Sequence, residues 1–253
     1  MKIISYNVNG IRAAIKKGFA DWLIEENPDI VCIQETKAQE EQIDSELFKS
    51  LGYDSYWFSA QKKGYSGVGI LTKIKPDHVE KGMGIAKYDA EGRMIRIDIG
   101  DISIASIYHP SGTSGDERQA FKMQWLDDFQ SYVQELRKKK PNLILGGDYN
   151  IAHKEIDIHD PKGNKDNSGF LPEERAWVDK FIAHDYIDTF RYFYDIPDKY
   201  SWWTYRFQAR SRNKGWRIDY FFVTKEMEAR LKDAGILDDV YHSDHCPIFL
   251  IVE

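Results

Sequence analysis

Residues 93–112 read RMIRIDIGDISIASIYHPSG, and this stretch decides which fold class the chain can adopt. Arg93–Ile99 and Ser103–Tyr108 have the apolar, β-branched composition of strands, and only a short turn at Gly100-Asp101 separates them. A connection this short cannot contain a crossover helix, so the two strands are predicted to pair as antiparallel neighbours.

Helices and further strands surround this pair along the chain. Asp116–Lys140 has the pattern of a long helix, and the wholly apolar Asn142–Gly146 that follows it predicts a strand. Helices are also predicted over Ile11–Glu26 and Lys225–Ala234. The mixture indicates an α/β fold of the α+β type, with largely antiparallel sheets flanked by helices. No linker composition interrupts the chain, so a single domain over residues 1–253 is expected.

The composition is that of an ordinary globular protein. Of the 253 residues, 42% are hydrophobic and 30% are charged. No run approaches the roughly 20 apolar residues of a membrane helix, and the start of the chain has no signal-peptide pattern, so a cytoplasmic protein without membrane contact is expected. The net charge of −6 argues by itself against a nucleic-acid partner, so the local distribution of charge has to decide that question.

Polar residues gather just beyond the ends of apolar strands, where α/β scaffolds usually build their sites. These residues are Asn7, Asn9, Glu35, Tyr108, Asp148, Asn150, Asp219, Asp244 and His245. Carboxylate and amide oxygens suit a hard cation such as Mg²⁺, and the spacings typical of zinc ligands are absent. The pattern therefore favours a magnesium site near strand ends.

A histidine at the start of a strand, such as His245, is by itself more often structural than functional. A catalytic role would need a carboxylate that orients the ring. The adjacent Asp244 would point to the opposite face of the strand, so Asp219 from another strand is the better partner. By the same alternation, Asn150 would lie on the same side of an extended chain as Asp148.

The segment Trp202–Arg217 is rich in cations and aromatic residues and contains no acid. Its cations are Arg206, Arg210, Arg212, Lys214 and Arg217. Cations neutralise phosphates and aromatic faces stack on sugars or bases, which indicates a nucleic-acid surface. The alternative is a solvated basic loop lying over aromatic core residues. A second polar loop, Lys162–Asn167, is open to the same two interpretations.

The order of several short motifs along the chain is more specific than any one of them. The motifs are SYNVNGIRA (5–13), QETK (34–37), GDYNIA (147–152), PKGNK (161–165), GWRIDYF (215–221) and SDHCP (243–247). Taken together, they resemble the exonuclease III family of class II abasic-site endonucleases, within the endonuclease/exonuclease/phosphatase superfamily. The resemblance extends over essentially the whole chain.

The resemblance implies a four-layered α/β sandwich, in which two mixed sheets pack face to face and helices cover both outer faces. It implies a Mg²⁺-dependent enzyme of base excision repair, with Mn²⁺ as the alternative ion. Its partner would be double-stranded DNA with abasic sites or blocked 3′ ends, and it would act as a monomer. The expected reaction is incision on the 5′ side of an abasic site, leaving a 3′-hydroxyl. Removal of 3′ blocking groups, including 3′-phosphates, and 3′→5′ exonuclease activity are the expected additional activities.

The resemblance also implies residue roles. Asp148 would activate water, Asn150 would orient it, Tyr108 would contact the scissile phosphate, and His245, held by Asp219, would contact the same phosphate. The implied metal-site residues are Glu35 as the main ligand, then Asn7, Asn9, Asp148, Asn150, Asp244 and His245. The implied DNA-contacting residues are Arg12, Lys37, Asn164, Asn167, Trp202, Arg206, Trp216 and Ile218, of which Trp202, Trp216 and Ile218 would form a pocket for the extruded abasic sugar.

Some points remain open at the level of the sequence. Asn9 stands where some family members have Asp, which removes one negative charge from the metal site, and Arg206 stands where some members have Met. The general base could be Asp148, His245 or Tyr108. Two other functions also remain open, namely a phosphodiesterase or phosphatase for lipid headgroups or inositol phosphates, and a DNA-binding protein without catalysis.

Overall fold

Twelve strands form two six-stranded sheets in the structure, a computed structural model that describes residues 1–253. The strands are β1 (Lys2–Asn7), β2 (Ile30–Gln34), β3 (Asp54–Phe58), β4 (Val68–Thr72), β5 (His78–Lys81), β6 (Met94–Ile99), β7 (Ile102–Tyr108), β8 (Asn142–Asp148), β9 (Tyr186–Asp188), β10 (Asp219–Thr224), β11 (Leu231–Ile236) and β12 (Ile248–Val252). The α-helices are α1 (Ile11–Lys16), α2 (Phe19–Glu26), α3 (Ser45–Ser50), α4 (Ala86–Asp89), α5 (Asp116–Lys139), α6 (Pro172–Ala183) and α7 (Thr189–Phe193).

Both sheets are mixed, and they share one arrangement of strand directions. The first has the order β11-β12-β1-β2-β4-β3 and the second the order β5-β6-β7-β8-β10-β9. Each contains one central parallel pair, β1 with β2 and β7 with β8, and the other neighbours are antiparallel. The antiparallel pairing of β6 with β7 across the Gly100-Asp101 turn is confirmed.

The two sheets pack face to face, and helices cover their outer faces. Between the sheets lies a core of mostly aliphatic side chains, which includes Ile30, Ile97 and Ile144. Trp125 of α5 and Trp177 of α6 pack on the outer face of the second sheet. The helices α1, α2 and α3 cover the first sheet. The predicted four-layered α/β sandwich is therefore confirmed.

This layering explains why β2 has no alternating pattern. All five residues of Ile30–Gln34 are buried, because the strand lies at the centre of a sheet that is covered on both faces. Apolar side chains on both faces of such a strand are removed from water and stabilise the fold. Its sequence is therefore a nearly continuous run of apolar residues. β4 (Val68–Thr72) is buried in the same way.

The longest helix, α5, is amphipathic and has charges that match its dipole. Asp116 and Glu117 occupy its first turn, and Arg137, Lys138 and Lys139 occupy its last. Only one face is buried, so most of its 24 residues are polar or charged. No helix of the chain is both long enough and apolar enough to span a bilayer.

Two helix predictions are wrong in detail. The helix expected over Ile11–Glu26 is divided into α1 and α2 at Gly18, whose φ of 97° lies in the left-handed region. The helix expected over Lys225–Ala234 is a 3₁₀ turn at Lys225–Arg230 followed by the strand β11. Pairing with β12 satisfies the backbone of β11, and that tertiary gain outweighs the local helical pattern.

The polar strand ends meet at one edge of the sandwich. Asn7 ends β1, Tyr108 ends β7 and Asp148 ends β8, while Asp219 begins β10, which runs antiparallel to β8. In the second sheet, Asp148 is directly paired with both Tyr108 and Asp219. Strand direction and register thus bring side chains that are distant in sequence to the same edge.

We expect Gly147→Ala to destabilise the protein by about 1–3 kcal/mol, because a close backbone approach leaves no room for a methyl group. A Cβ at Gly147 would lie 1.9 Å from the carbonyl oxygen of Ile107, in the paired strand β7. The free energy of unfolding, measured by urea denaturation, tests this. In Gly146→Ala the nearest atoms belong to the Phe221 side chain, which can move, so a smaller loss is expected. An equal loss in the two variants would contradict the explanation.

Candidate active site

Four non-glycine residues around the polar edge have a left-handed backbone. Their φ angles are 47° for Asn9, 52° for Glu35, 48° for Lys37 and 52° for Asn150. Asparagine tolerates this region, but glutamate and lysine rarely adopt it, because Cβ crowds the backbone. A cluster of such conformations costs free energy and is typical of functional sites. Here the turns follow directly after β1, β2 and β8 and redirect the chain at the edge of the sandwich.

A buried amide connects carboxylates from the two sheets. The Nδ2 of Asn7 donates to Oε1 of Glu35 at 2.8 Å and to Oδ2 of Asp148 at 2.9 Å. The other oxygen of Glu35 lies 2.7 Å from Nζ of Lys37. Asn7 therefore presents its amide nitrogen, rather than its oxygen, to the carboxylates.

Asp244 lies at the same edge of the sandwich as Glu35, and three hydrogen-bond donors hold its carboxylate. Its carboxylate accepts hydrogen bonds from Asn9 Nδ2 at 2.8 Å, Trp202 Nε1 at 3.1 Å and Ser243 Oγ at 3.1 Å. Burial alone would raise the pKa of Asp244, but the nearby His245 and these donors lower it, so the group is ionised. The Oδ1 of Asn9 accepts from Lys37, which links Asp244 to the surroundings of Glu35.

The structure pairs His245 with Asp219 and not with its sequence neighbour Asp244. The ring Nδ1 lies 2.8 Å from Asp219 Oδ2, and Nε2 lies 3.8 Å from Asp148 Oδ2. Asp219 also accepts a hydrogen bond from Ser201 Oγ at 2.6 Å. Burial alone would lower the pKa of His245, but the carboxylates of Asp219 and Asp148 raise it to about 10. The ring is therefore an imidazolium at neutral pH.

Asp148 and Asn150 form a compact turn at the end of β8. Asp148 Oδ1 accepts from the backbone N–H of Asn150 at 2.8 Å, and Oδ2 lies 3.2 Å from Asn150 Nδ2. The two side chains are thus neighbours through a left-handed turn, rather than through strand alternation. Burial raises the pKa of Asp148 to about 7, helped by Asp219 and Glu35 and opposed by His245.

Tyr108 completes this group from the end of β7. Burial raises the pKa of its hydroxyl well above the ordinary value, and the neighbouring Glu35 and Asp148 raise it further against the effect of Arg93. The Arg93 guanidinium lies 4.8 Å from the centre of the Tyr108 ring and donates to the Tyr108 carbonyl at 2.9 Å. The Tyr108 hydroxyl therefore keeps its proton as a hydrogen-bond donor, and Arg93 holds the residue in place.

The arrangement fits a divalent cation. Glu35, Asp148 and His245 each offer an atom, and these atoms lie within 4.8 Å of one another. Four carboxylates surround the edge, and the cations close to them are Lys37 and the imidazolium of His245. The site thus has excess negative charge and oxygen donors that suit a hard ion. As an imidazolium, His245 is a proton donor rather than a ligand, so the carboxylates are the better candidates.

A cleft of about 650 Å³ opens over these groups. The residues that line it include Glu35, Tyr108, Asp148, Asn150, Asn167, Trp202, Trp216, Ile218, Asp244 and His245. Asn7 and Asp219 are buried behind these lining residues. The chain segments of Trp202 and Trp216 exchange backbone hydrogen bonds at 2.9 Å, and the two rings meet edge to face with centroids 6.0 Å apart. Trp202 and Trp216 thus form an aromatic wall of the cleft, directly beside Asp244 and His245.

The remaining sequence-predicted residues lie outside the centre of the cleft. Arg12 and Lys37 line a second groove of about 530 Å³, next to Asn9 and Glu35. Arg206 lies on an exposed turn. The Nδ2 of Asn164 donates to the carbonyls of His159 and Asp160, and its Oδ1 accepts from Asn167. The side chain of Asn164 thus serves the shape of its own loop.

Two of the five cations in Trp202–Arg217 have structural roles. Arg217 is buried and forms ion pairs with Asp157 and Asp188 at 2.7 Å each. Arg210 stacks on Tyr241 and donates to the carbonyls of the loop before Asp244. Arg206, Arg212 and Lys214 remain exposed, and contact of these three cations with nucleic acid stays a prediction.

Sequence reasoning missed a group of residues behind the cleft. Lys122 of α5 and Glu174 of α6 form a buried ion pair, and Lys122 contacts the backbone of Asn150. A signal was present, because Lys122 lies three and seven positions before Trp125 and Phe129, on the apolar face of its helix. Phe207, an aromatic residue of the Trp202–Arg217 segment, has a side chain that is 80% exposed and a φ of 59°.

The model of the endonuclease/exonuclease/phosphatase family matches residues 4–245, which is nearly the whole chain. The chain belongs to the endonuclease/exonuclease/phosphatase family. The match includes both sheets except the last strand, and it ends at His245. The polar edge described above thus lies within the family's shared region.

Individual relatives of this family resemble the chain over its full length. An exodeoxyribonuclease of Bacillus subtilis is 45% identical over 254 residues, covering 100% of this chain and 99% of that protein. The DNA repair nuclease APEX1 of Danio rerio is 41% identical and covers 100% of this chain, which spans 82% of that protein. The solved structure of an AP endonuclease from Archaeoglobus fulgidus has a TM-score of 0.92 and 29% identity, covering 100% of this chain and 99% of that one.

We expect Asp219→Asn to lower the pKa of His245 from about 10 towards neutrality, because burial then acts with less opposition. The imidazolium would become partly neutral at pH 7 to 8. Titration of the His245 ring by NMR measures this directly. Asp54→Asn, which changes an exposed carboxylate on β3, is the matched control and should leave the titration unchanged. A His245 that titrates identically in wild type and Asp219→Asn would refute the proposed electrostatic pairing.

Proposed function

We propose that this protein is a divalent-metal-dependent DNA repair nuclease that incises the backbone on the 5′ side of abasic sites and leaves a 3′-hydroxyl. The observation that carries the proposal is the single cleft that Glu35, Asp148 and His245 line together with the aromatic wall of Trp202 and Trp216. The full-length similarity to an exodeoxyribonuclease and a DNA repair nuclease supports a hydrolytic nuclease acting in DNA repair. Removal of 3′ blocking groups and 3′→5′ exonuclease activity would use the same centre.

The resident ion would be Mg²⁺, with Mn²⁺ as the alternative, held chiefly by Glu35 with Asp148 and Asp244 nearby. When bound, the ion would supply positive charge to the phosphate and to the departing 3′-oxygen. Asn7 and Asn9 would orient the carboxylates, since the structure shows them as donors to Glu35, Asp148 and Asp244. The neutral side chain of Asn9 would contribute no charge to the ion.

The three candidates for the general base differ in their protonation. Tyr108 keeps its proton, because burial and Glu35 raise its pKa. His245 is already protonated at neutral pH, because its pKa is raised to about 10. Asp148, with a pKa of about 7, is the group that can accept a proton from water near neutral pH. We therefore assign the base to Asp148.

The other polar residues would act as donors to the phosphoryl oxygens. His245 has a proton on Nε2 while Nδ1 donates to Asp219, so its free N–H faces the side of Asp148. The Tyr108 hydroxyl is a further donor at this wall. Asn150 Nδ2 donates to the His109 carbonyl at 3.0 Å and to Asp148 Oδ2 at 3.2 Å, and it would redirect the longer of these bonds to a phosphoryl oxygen. Donors that are already oriented stabilise the charge that develops on the phosphate without reorganisation.

Selectivity for an abasic nucleotide would come from the aromatic wall. A nucleotide without a base breaks no base pair and little stacking when it leaves the helix, so its extrusion costs little free energy. Trp202, Trp216 and Ile218 would receive the extruded sugar. Ile158 and Phe170 lie behind them in the same apolar cluster and give the wall a rigid backing. An intact nucleotide would have to fit its base into the same space.

The rest of the cleft surroundings would grip the duplex. Arg12 and Lys37 line a groove beside the metal site, where cations can neutralise the phosphates of one strand. Asn167 and the backbone around Asn164 would contact phosphates from the opposite side, and Arg206 would approach a groove of the duplex. We propose that the chain acts as a monomeric, single catalytic domain in the cytoplasm, where it would meet DNA.

We expect the purified protein to nick a duplex at its one abasic site in the presence of Mg²⁺ and to make no internal nick in an intact duplex. EDTA should abolish nicking, because the carboxylates alone provide no positive charge for the phosphate. Gel analysis of the cleaved strand, with a polymerase extension of the product, identifies the 3′-hydroxyl. Inositol phosphates and lipid headgroup phosphodiesters serve as alternative substrates. Cleavage of those and not of abasic DNA would refute the proposal.

Asp148→Asn is the catalytic control for this assay. The amide keeps the size of the side chain but cannot accept the proton, so the rate should fall by about 10²- to 10⁴-fold while DNA binding persists. Near-normal turnover of this variant would reject Asp148 as the base.

We expect Trp216→Ala to reduce discrimination between abasic and intact duplex by about tenfold or more, because the enlarged pocket admits a nucleotide with its base. The measurement is the ratio of kcat/KM for the two substrates. Trp22→Ala removes a half-buried tryptophan from α2, on another part of the surface, and serves as the control. An unchanged ratio in Trp216→Ala would remove this residue from the pocket.

A further inference from the structure

A buried ion pair lies behind the cleft and has no part in the chemistry described above. The side chains of Lys122 and Glu174 are 0% exposed, and Nζ of Lys122 lies 2.5 Å from Oε1 of Glu174. Removing two charges from water costs about as much free energy as their attraction returns, so such a pair is a weak source of stability. The pair is therefore better explained by the backbone groups to which Lys122 and Glu174 form their other hydrogen bonds.

Lys122 holds the backbone of Asn150. Its Nζ donates to the Asn150 carbonyl at 2.8 Å, while the Asn150 N–H donates to Asp148 at 2.8 Å. Both backbone polar groups of Asn150 are thus fixed, although its φ of 52° is unfavourable for most residues. The Asn150 amide itself donates to the His109 carbonyl at 3.0 Å and to Asp148 Oδ2 at 3.2 Å, so the backbone anchor and these side-chain bonds together set its place in the wall of the cleft.

Glu174 holds the neighbouring loop of the cleft. Its Oε2 accepts from the backbone N–H of Gly169 at 2.6 Å and from that of Leu171 at 3.0 Å. This loop lies directly against Asn150 and the aromatic wall. A Cβ at Gly169 would lie 3.2 Å from the Asn150 carbonyl oxygen and 2.9 Å from the Trp216 ring. One carboxylate therefore fixes the distance between the loop and the residues that face it.

We propose that Lys122, paired with Glu174, is a positioning residue that sets the place of Asn150 and of the 167–171 loop for catalysis. The inference rests on the proposed nuclease function, because Asn150 acts there on the scissile phosphate. The pair is electrically neutral as a whole, so it adds little field to the cleft. Its loss should therefore reduce the rate of cleavage far more than the affinity for DNA.

A second buried ion pair provides a matched control. Arg96 and Asp98 are 7% and 2% exposed, and their nearest charged atoms lie 3.1 Å apart. Asp98 pairs with Ser103, which lies at the start of β7, whereas Tyr108 of the cleft lies at the other end of that strand. Arg96→Met therefore removes a buried cation without touching the cleft, and Lys140, 3.2 Å from Asp98, remains as a partner for that carboxylate.

The test compares Lys122→Met with Arg96→Met and with the conservative variant Lys122→Arg. For each protein we would measure the single-turnover cleavage of abasic duplex, the affinity for that duplex in EDTA, and the unfolding midpoint. The single-turnover rate and kcat of Lys122→Met should fall by about 10- to 100-fold, while KM and the DNA affinity change little, because a displaced catalytic group costs rate rather than binding. Arg retains the cation and should restore most of the rate. Arg96→Met should lose stability but keep its rate.

The inference is overturned if folded Lys122→Met cuts at the wild-type rate, or if Arg96→Met slows cleavage to the same extent. If Lys122→Met does not fold, Glu174→Gln, which keeps the shape but removes the charge, takes its place, and a wild-type rate in that variant overturns the inference. A wild-type protein that fails to nick abasic DNA would refute the proposed function instead. In that case, crystal structures of the wild type and of Lys122→Met test the inference without any reference to activity. If Asn150 and the 167–171 loop occupy the same positions in both, the inference is overturned.

Discussion

The site depends on a buried amide that connects the two sheets. Asn7 ends a strand of the first sheet, and its Nδ2 donates both to Glu35 from the same sheet and to Asp148 from the other. The side chain is fully buried, so each of these charge-assisted hydrogen bonds forms where water competes little. Two carboxylates that would repel each other are thereby held close together, and a bound divalent cation would relieve that repulsion.

The protonation of the site follows from this crowding. Burial raises the pKa of Asp148, and the nearby Asp219 and Glu35 raise it further, while the buried His245 beside Asp219 and Asp148 becomes an imidazolium. One cluster thus contains a carboxylate that can accept a proton near pH 7 and a ring that can donate one. The same environment keeps the Tyr108 hydroxyl protonated. The roles of acceptor and donor are set by the neighbours of each group, rather than by its residue type alone.

The two sheets share an arrangement of strands that places equivalent ends at the site. The parallel pair β1-β2 in the first sheet corresponds to β8-β7 in the second, and the flanking strands β12 and β10 are antiparallel in both. The short likeness between Tyr6-Asn7-Val8 and Tyr149-Asn150-Ile151 falls at the ends of the corresponding strands β1 and β8. In the sequence alone the likeness is too short to carry weight, and the common topology now gives it a structural context.

The sequence by itself determined that strands and helices mix in largely antiparallel sheets, because strand and helix periodicity and short turns are local properties, whereas the four layers followed only from the resemblance to a known family. The pair β6-β7 was predictable from the Gly100-Asp101 turn, and the family-like order of motifs indicated the residues of the polar edge. Tertiary structure decided what depends on distant partners. It made Leu231–Ile236 a strand, because β12 satisfies its backbone. It gave Arg210 and Arg217 structural roles, because carbonyls and carboxylates from other segments surround them. It also placed Lys122 behind Asn150, a contact between residues 28 positions apart that no local pattern specifies.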